Sequence, residues 1–382
     1  MKILFCITIL KHGKGGHVFS LRTIAEELAG EHDVLVVNLG RFASPAYTEG
    51  KYRLDFVPYH GWDCLIAAAR LRRIIRDFRP DVVHAFDVPS YGIARLVTGI
   101  ESKLVMTKCG GPNPNKYFPK VQNLILFSQE NYVFFTKKPR WRNAHLTLIA
   151  NRVREIVPDL ERIAELKKKH GIRPDEKIVL RISRICEHYR SSIVQGIHLT
   201  AFLNRHGIRT RLLLLGVIQT PAVKTQLQDL VRELGAQDRV IWEDDRRFTD
   251  NAAELLPIAD AVIGSGRNFM EAASFNKPLL AIAAEGDYPI YVDETSFPAV
   301  FATNCSPRTV VPGVNAEENL QALVSVLNAG GKVNSRQWFD NFFAVEKVRN
   351  LYLDFYRSCR ASRKHDLVDA IENVLYAARG FL

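Results

Sequence analysis

The sequence predicts an α/β protein made of two doubly wound, Rossmann-like halves. Three observations carry this. Short apolar runs alternate with longer amphipathic stretches, the pattern of a parallel sheet covered by helices on both faces. The alternation pauses near Asn151 and resumes at Ile178. The chain has 382 residues, long for one domain and comfortable for two.

Taken in order, Ile3–Leu10 reads as a buried first strand. It is preferred to a secretory leader because Lys11, Lys14 and glycines follow the apolar run, with no small-residue cleavage site. The loop Lys11–Gly16 leads into a helix from His17 to about Leu28. HGKGGH lacks the spacing of a dinucleotide fingerprint or a P-loop. Asp33–Asn38 is the next strand. Leu65–Phe78 is a helix with Arg70, Arg72, Arg73 and Arg76 on one face and Leu71, Ile74, Ile75 and Phe78 on the other. A solvated face is the default reading of that basic run, and an anionic lipid surface the second. Asp81–Ala85, Lys103–Met106, Leu124–Ser128 and Leu146–Ile149 follow as strands. Lys137, Lys138, Arg140, Trp141 and Arg142 form a further basic-aromatic cluster.

Residues 152–170 read as a charged helical stretch. The second half then runs Ile178–Ile182 strand, Ile193–Asn204 helix, Thr210–Gly216 strand, Ala222–Leu234 helix, Val240–Trp242 strand and Ala252–Ala259 helix. ADAVIGSGRNFMEAASFNKP (Ala259–Pro278) holds a short strand, a glycine loop and a helix carrying Glu271. Glycines let backbone approach a ligand, and a helix start offers free N–H groups suited to an anion such as a diphosphate. One turn on, Glu271 can accept from paired hydroxyls such as those of a ribose. The plain alternative is a tight turn with a solvent-facing Glu. After the strand Leu279–Ile282 come helices at Ala316–Leu327, Ser335–Ser358 (rich in aromatics) and 363–379, the last apolar at Leu367, Ile371, Val374, Leu375 and Ala378.

Composition bounds the function without choosing it. The net charge of +11 suits nucleic acid, an anionic membrane or a phosphorylated small molecule. Nucleic acid ranks last, because the basic residues are not interleaved with stacking aromatics. No apolar run is long enough to span a bilayer. The six cysteines are scattered with no CxxC pair, which suggests reduced thiols in a cytoplasmic protein and no zinc site.

Several landmarks fall in one order, and through them residues 1–360 resemble the family-four retaining glycosyltransferases of GT-B architecture. They are Gly15-Gly16, PDVVHAFD (Pro80–Asp87), FSQENY (Phe127–Tyr132), LIANRV (Leu148–Val153), RISRI (Arg181–Ile185), LLLLG (Leu212–Gly216), the Ala259–Pro278 stretch and FFAVEKVRNLYLDFYRS. The resemblance implies an acceptor-binding domain at 1–155, a nucleotide-sugar domain at 156–338, and helices at 339–382 returning to the first domain, with ligands in a central cleft.

It also implies roles. Arg184 and Arg190 would neutralise a donor diphosphate and, with Glu271 on the ribose, form the catalytic set. Gly266, Arg267 and Asn268 would meet phosphate or sugar, and Gly15 and Gly16 would face the phosphates. Lys108, Cys109, Gly110 and Asn151 would line the acceptor side, with Lys108 a partner for an anionic acceptor. No metal and no cofactor beyond the nucleotide-diphosphate sugar is implied, and the chain has no Asp-x-Asp.

Departures are marked. Cys109 stands where the family has a His, Ile263 where it has a first Glu, Ser183 for a Gly, and Arg190 for a Lys after a one-residue shift. The leading expectation is a metal-independent hexosyl- or N-acetylhexosaminyltransferase acting with retention on a hydroxyl, in cell-envelope polysaccharide or lipid-linked glycan assembly. It would be cytoplasmic and peripheral to the inner membrane face. The alternatives are a catalytically reduced nucleotide-sugar-binding subunit and a GT-B epimerase or hydrolase.

Overall fold

Strand order, rather than strand number, is what positions ligands in this fold, and the computed structural model shows that order twice. It describes residues 1–9, 15–99, 102–114, 118–331, 333–362 and 367–379. The loop expected at Lys11–Gly16 therefore lies, up to Lys14, outside the described residues. Two compact units divide the chain: residues 1–152 with 345–382, and residues 153–344.

The first unit holds β1 (Lys2–Ile9), β2 (Asp33–Gly40), β3 (Arg53–Pro58), β4 (Val82–Ala85), β5 (Lys103–Lys108), β6 (Asn123–Leu126) and β7 (His145–Leu148). They form one parallel sheet ordered β3-β2-β1-β4-β5-β6-β7. Leu4 and Cys6 enter one core layer, and Ile3, Phe5 and Ile7 enter the layer on the opposite face. Burial on both faces is why β1 reads as a continuous apolar run.

The second unit holds β8 (Lys177–Ile182), β9 (Thr210–Leu215), β10 (Val240–Glu243), β11 (Ala261–Gly264), β12 (Leu279–Ala281) and β13 (Ile290–Tyr291). Their order is β10-β9-β8-β11-β12-β13, with only β13 antiparallel to its neighbour. In both sheets the order reverses beside the first strand of the unit. At such a reversal the loops diverge to opposite faces and leave a crevice beyond the strands' carboxyl ends.

Four sequence expectations change. The helix in 152–170 is confined to Leu160–Lys169, capped by Asp159, whose side chain accepts from the Arg162 N–H. Ala252–Ile258 is a 3-10 helix with Pro257 inside it, where the ring removes one backbone donor. Ser335–Ser358 is not one helix but Ser335–Trp338, a π-helical turn at Phe339–Phe343, a 3-10 turn at Val345–Lys347 and Arg349–Ser358. It breaks at Ala344, whose ψ of 125° is extended. Phe339 and Phe343 are buried in the second unit's core, whereas Val345, Tyr352 and Tyr356 are buried in the first's. The helix Val88–Val97 was not expected; Asp87 caps it by accepting from the Ser90 N–H.

Candidate functional site

In the second unit the reversal falls between β8 and β11, and the loops leaving those strands carry the expected phosphate and ribose residues. Arg181 ties the two strands together from inside. It is 1% exposed; its Nε donates to Ser192 Oγ at 3.1 Å and its Nη1 to the Ile263 carbonyl at 3.3 Å. Burial lowers its guanidinium to about 10, which leaves it cationic at neutral pH.

Beyond it the chain turns sharply against β9. A Cβ on Gly216 would lie 2.0 Å from the Ser183 carbonyl oxygen, so only glycine allows this approach. Arg184 is exposed, donates to Tyr189 Oη at 3.3 Å, and sits 5.3 Å from that ring's centroid. The ring holds the guanidinium over the crevice edge while leaving most of its donors available. Arg190 is exposed and opens the helix Arg190–Arg205, whose first turn has no side-chain cap and no acid.

After β11, two glycines shape the turn for different reasons. A Cβ on Gly264 would lie 2.7 Å from Phe269 Cα and 2.8 Å from Phe269 N, so this position lets the next helix sit against the strand end. Gly266 has φ 52° and ψ −126°, a conformation that favours glycine. Its N–H donates to the Cys305 carbonyl at 2.6 Å and is therefore engaged within the fold. The helix Arg267–Ala273 carries Glu271, which is 7% exposed. Arg267 Nη2 donates to Glu271 Oε1 at 3.2 Å and Asn268 Nδ2 to Oε2 at 3.5 Å. Burial raises the Glu271 carboxyl above its ordinary range, opposed by Arg267 and then Asn268. Gly266, Arg267, Asn268 and Glu271 thus form one arrangement, with the carboxylate oriented by its own helix. Ile263 is fully buried in the core, with its Cδ1 against Gly196. It holds a core position, so an acidic group could not be accommodated there without burying a charge.

In the first unit the reversal lies between β1 and β4. Asp87, just past β4, accepts from the Thr8 N–H at 2.6 Å and the Ser90 N–H at 2.8 Å, joining both strand ends. Gly15 caps the helix Gly16–Ala29 with an ordinary φ of −99°, and a Cβ on Gly16 would meet nothing within 4 Å. Lys108 does not extend from its loop: its Nζ donates to the Gly110 and Gly111 carbonyls. Gly110 and Gly111 have φ of 83° and 78°, and Asn131 Nδ2 holds the loop through Gly111 O at 3.3 Å and Asn113 Oδ1 at 2.9 Å. Burial, reinforced by Asp87, pushes the Cys109 thiol up, so it stays protonated. Asn151 is 5% exposed, and its Oδ1 has no hydrogen-bond partner among the described residues. His84 is structural: its ring nitrogens contact Tyr356 Oη and Thr107 Oγ1, both at 2.7 Å, and burial lowers it to about 3.

Sequence reasoning missed the site roles of Arg181, Ser192, Thr8 and Asp87. Asp87 alone carried a usable signal, as an Asp two residues before a proline at a helix start. Among the described residues, no group of three or more His, Cys, Asp or Glu is placed to hold a metal ion.

Residues 15–182 match the family model described as a glycosyl transferase 4-like domain. No curated protein matches the chain. Among solved structures, a glycosyltransferase from Rickettsia africae ESF-5 superposes with a TM-score of 0.67 at 15% identity, over 93% of this chain and 98% of that one. HepE of Anabaena, in complex with UDP, gives 0.67 at 17% identity, over 94% and 100%. The sucrose-phosphate synthase of Thermosynechococcus elongatus gives 0.62 at 16%, over 93% and 98%.

Proposed function

We propose that this chain, which has the GT-B fold of those structures, is a glycosyltransferase that takes its sugar from a nucleotide-diphosphate donor, with UDP the first nucleotide to test. One observation carries the reading. At the second unit's strand-order reversal, two exposed cations, Arg184 and Arg190, and one oriented carboxylate, Glu271, flank the ends of adjacent strands. The glycosyl transferase 4-like match and the UDP held by the Anabaena relative support it.

On this reading Arg184 and Arg190 receive the diphosphate, and Glu271 accepts from the ribose hydroxyls. Arg267 and Asn268 fix Glu271, and Gly266 shapes the turn. As the anomeric C–O bond breaks, its electron pair passes to the diphosphate oxygen. The two guanidinium groups stabilise the charge that develops there. The acceptor oxygen bonds to the anomeric carbon on the departing face, giving retention, and its proton passes to a phosphate oxygen. This scheme needs no metal. The first unit would take the acceptor, a cell-envelope or lipid-linked glycan hydroxyl reached by peripheral contact with an anionic membrane.

The test is product analysis with UDP-hexoses, with and without chelator. Release of UDP together with a product that keeps the donor's anomeric configuration supports the proposal. An inverted product overturns retention, epimerised donor moves the reading to an epimerase, and binding without turnover under every acceptor moves it to a binding subunit.

A further inference from the structure

The last helix, Leu367–Arg379, presents to solvent the side that its sequence would be expected to bury. It crosses the helix Val88–Val97 so closely that a Cβ on Gly92 would lie 2.7 Å from the Asn373 carbonyl oxygen and 2.9 Å from Ala377 N. Asp369 pairs with Arg95 at 2.6 Å and Glu372 with Arg140 at 3.1 Å. The Tyr59 hydroxyl donates to the Ala377 carbonyl. Asn373, Tyr376 and Ala377 are buried, whereas Leu367 is 77% exposed, Val368 68%, Leu375 63% and Ile371 53%. At the α-helical angle these four share an arc of about 100°, and no charge interrupts it.

A second group of exposed apolar residues lies on the neighbouring segment that packs against this helix. From Tyr59 the chain runs to Trp62, 84% exposed, and then to exposed Leu65 and Ile66 in the first turn of the helix Cys64–Phe78. The rest of that helix's exposed face is cationic, with Arg70, Arg72, Arg73 and Arg76 against the single acid Asp77. Across the last helix, the Arg140 segment adds Lys137, Lys138 and Arg142, all exposed. Single exposed apolar residues are ordinary, but a four-residue stripe on one helix, with a second exposed group on a helix packed against it and cations on both sides, marks an interaction face. Both acids of the last helix that lie nearest are already neutralised by arginines of the fold. The face therefore complements an anionic surface.

We propose that this face docks on an anionic lipid bilayer. The apolar stripe of the last helix, with Trp62, Leu65 and Ile66, enters the headgroup–acyl boundary, and the flanking arginines and lysines meet lipid phosphates. Among the described residues no helix is long and apolar enough to cross a membrane, so this is attachment in the interface plane. The inference rests on the membrane contact proposed above, but its test does not require glycosyl transfer.

The experiment is flotation of the full chain with phosphatidylcholine vesicles, with and without phosphatidylglycerol, at low and high salt. Ile371→Asp/Leu375→Asp and Arg73→Glu/Arg76→Glu are run beside the wild type, with melting temperatures as the folding control. The wild type should bind the anionic vesicles, the apolar double variant should lose about tenfold, and salt should weaken what remains. Brominated lipid should quench fluorescence more strongly in the wild type than in Trp62→Phe, since Trp141 and Trp338 are buried and Trp242 is half-buried. Equal vesicle binding by wild type and both double variants overturns the proposal. So does a wild-type dimer that Ile371→Asp/Leu375→Asp dissociates without vesicle binding, which would make the face an interface between copies. A UDP titration of the same samples separates the two readings: vesicle binding without any nucleotide binding would remove the transferase assignment and leave this surface standing.

Discussion

Replacing Glu271 with Gln should stabilise the free protein above acid pH while weakening its hold on the nucleotide. The carboxylate is 7% exposed and its nearest cation, Arg267, lies 3.2 Å away. At an effective dielectric near 20, that attraction is about 5 kcal/mol. Burial nevertheless wins, because the carboxyl is raised above its ordinary range. A raised pKa means that the folded state disfavours the charged form. The contribution of Glu271 to stability is thus fully present below the ordinary carboxyl pKa and is lost as pH rises through the raised one. Gln has nothing to lose over that window and can still accept from Arg267. Glu271→Gln should therefore gain stability relative to wild type at pH 8, and the gain should shrink toward acid pH. Ribose hydroxyls would then meet a neutral amide in place of a carboxylate, at a cost of about 1.5–3 kcal/mol, or roughly 10- to 100-fold in Kd. Scanning calorimetry across pH and titration with UDP read the two effects. A variant less stable at every pH, or one that binds UDP within about threefold of wild type, would refute the reasoning.

Two further outcomes follow from the same geometry. Gly264→Ala must push the helix Arg267–Ala273 off the strand end, since its Cβ would lie 2.7 Å from Phe269 Cα; the melting temperature should fall by the equivalent of about 1–3 kcal/mol, whereas Gly16→Ala, with open space around it, should not lower it. His84 is held to about 3 against an ordinary value of 6.5, so the unfolded chain takes up a proton between those values that the folded chain refuses. Stability should drop by about 2 kcal/mol from pH 7 to pH 5, and His84→Gln should flatten that part of the pH profile; an unchanged profile would show that another group controls it.

The sequence made the buried strands legible because each is covered on both faces, and the glycine loop at Gly264–Asn268 legible because backbone geometry demands glycine there. β3 escaped notice because Arg53, Leu54 and Asp55 are exposed on an edge strand, which leaves no apolar run to read. Arg181 escaped for the opposite reason: it is a buried arginine in a strand, and an arginine's burial cannot be told from its letter. The break at Ala344 was hidden because aromatic residues continue on both sides of it, and only their burial in different units requires the chain to change course. Lys108 and Cys109 read as site residues by position, yet Lys108 is engaged by its own loop and Cys109 is held as a thiol.

The central claim is that a nucleoside diphosphate is held at the β8–β11 reversal by exposed arginines. Calorimetric titration of UDP, GDP, ADP and dTDP into wild type and Arg184→Ala/Arg190→Ala, with chelator present, tests it most directly. The account predicts that one nucleotide binds the wild type, and that the double variant loses about 100-fold or more with its melting temperature unchanged, because both side chains are exposed. Absence of binding by all four nucleotides, or affinity undiminished in the double variant, would contradict it.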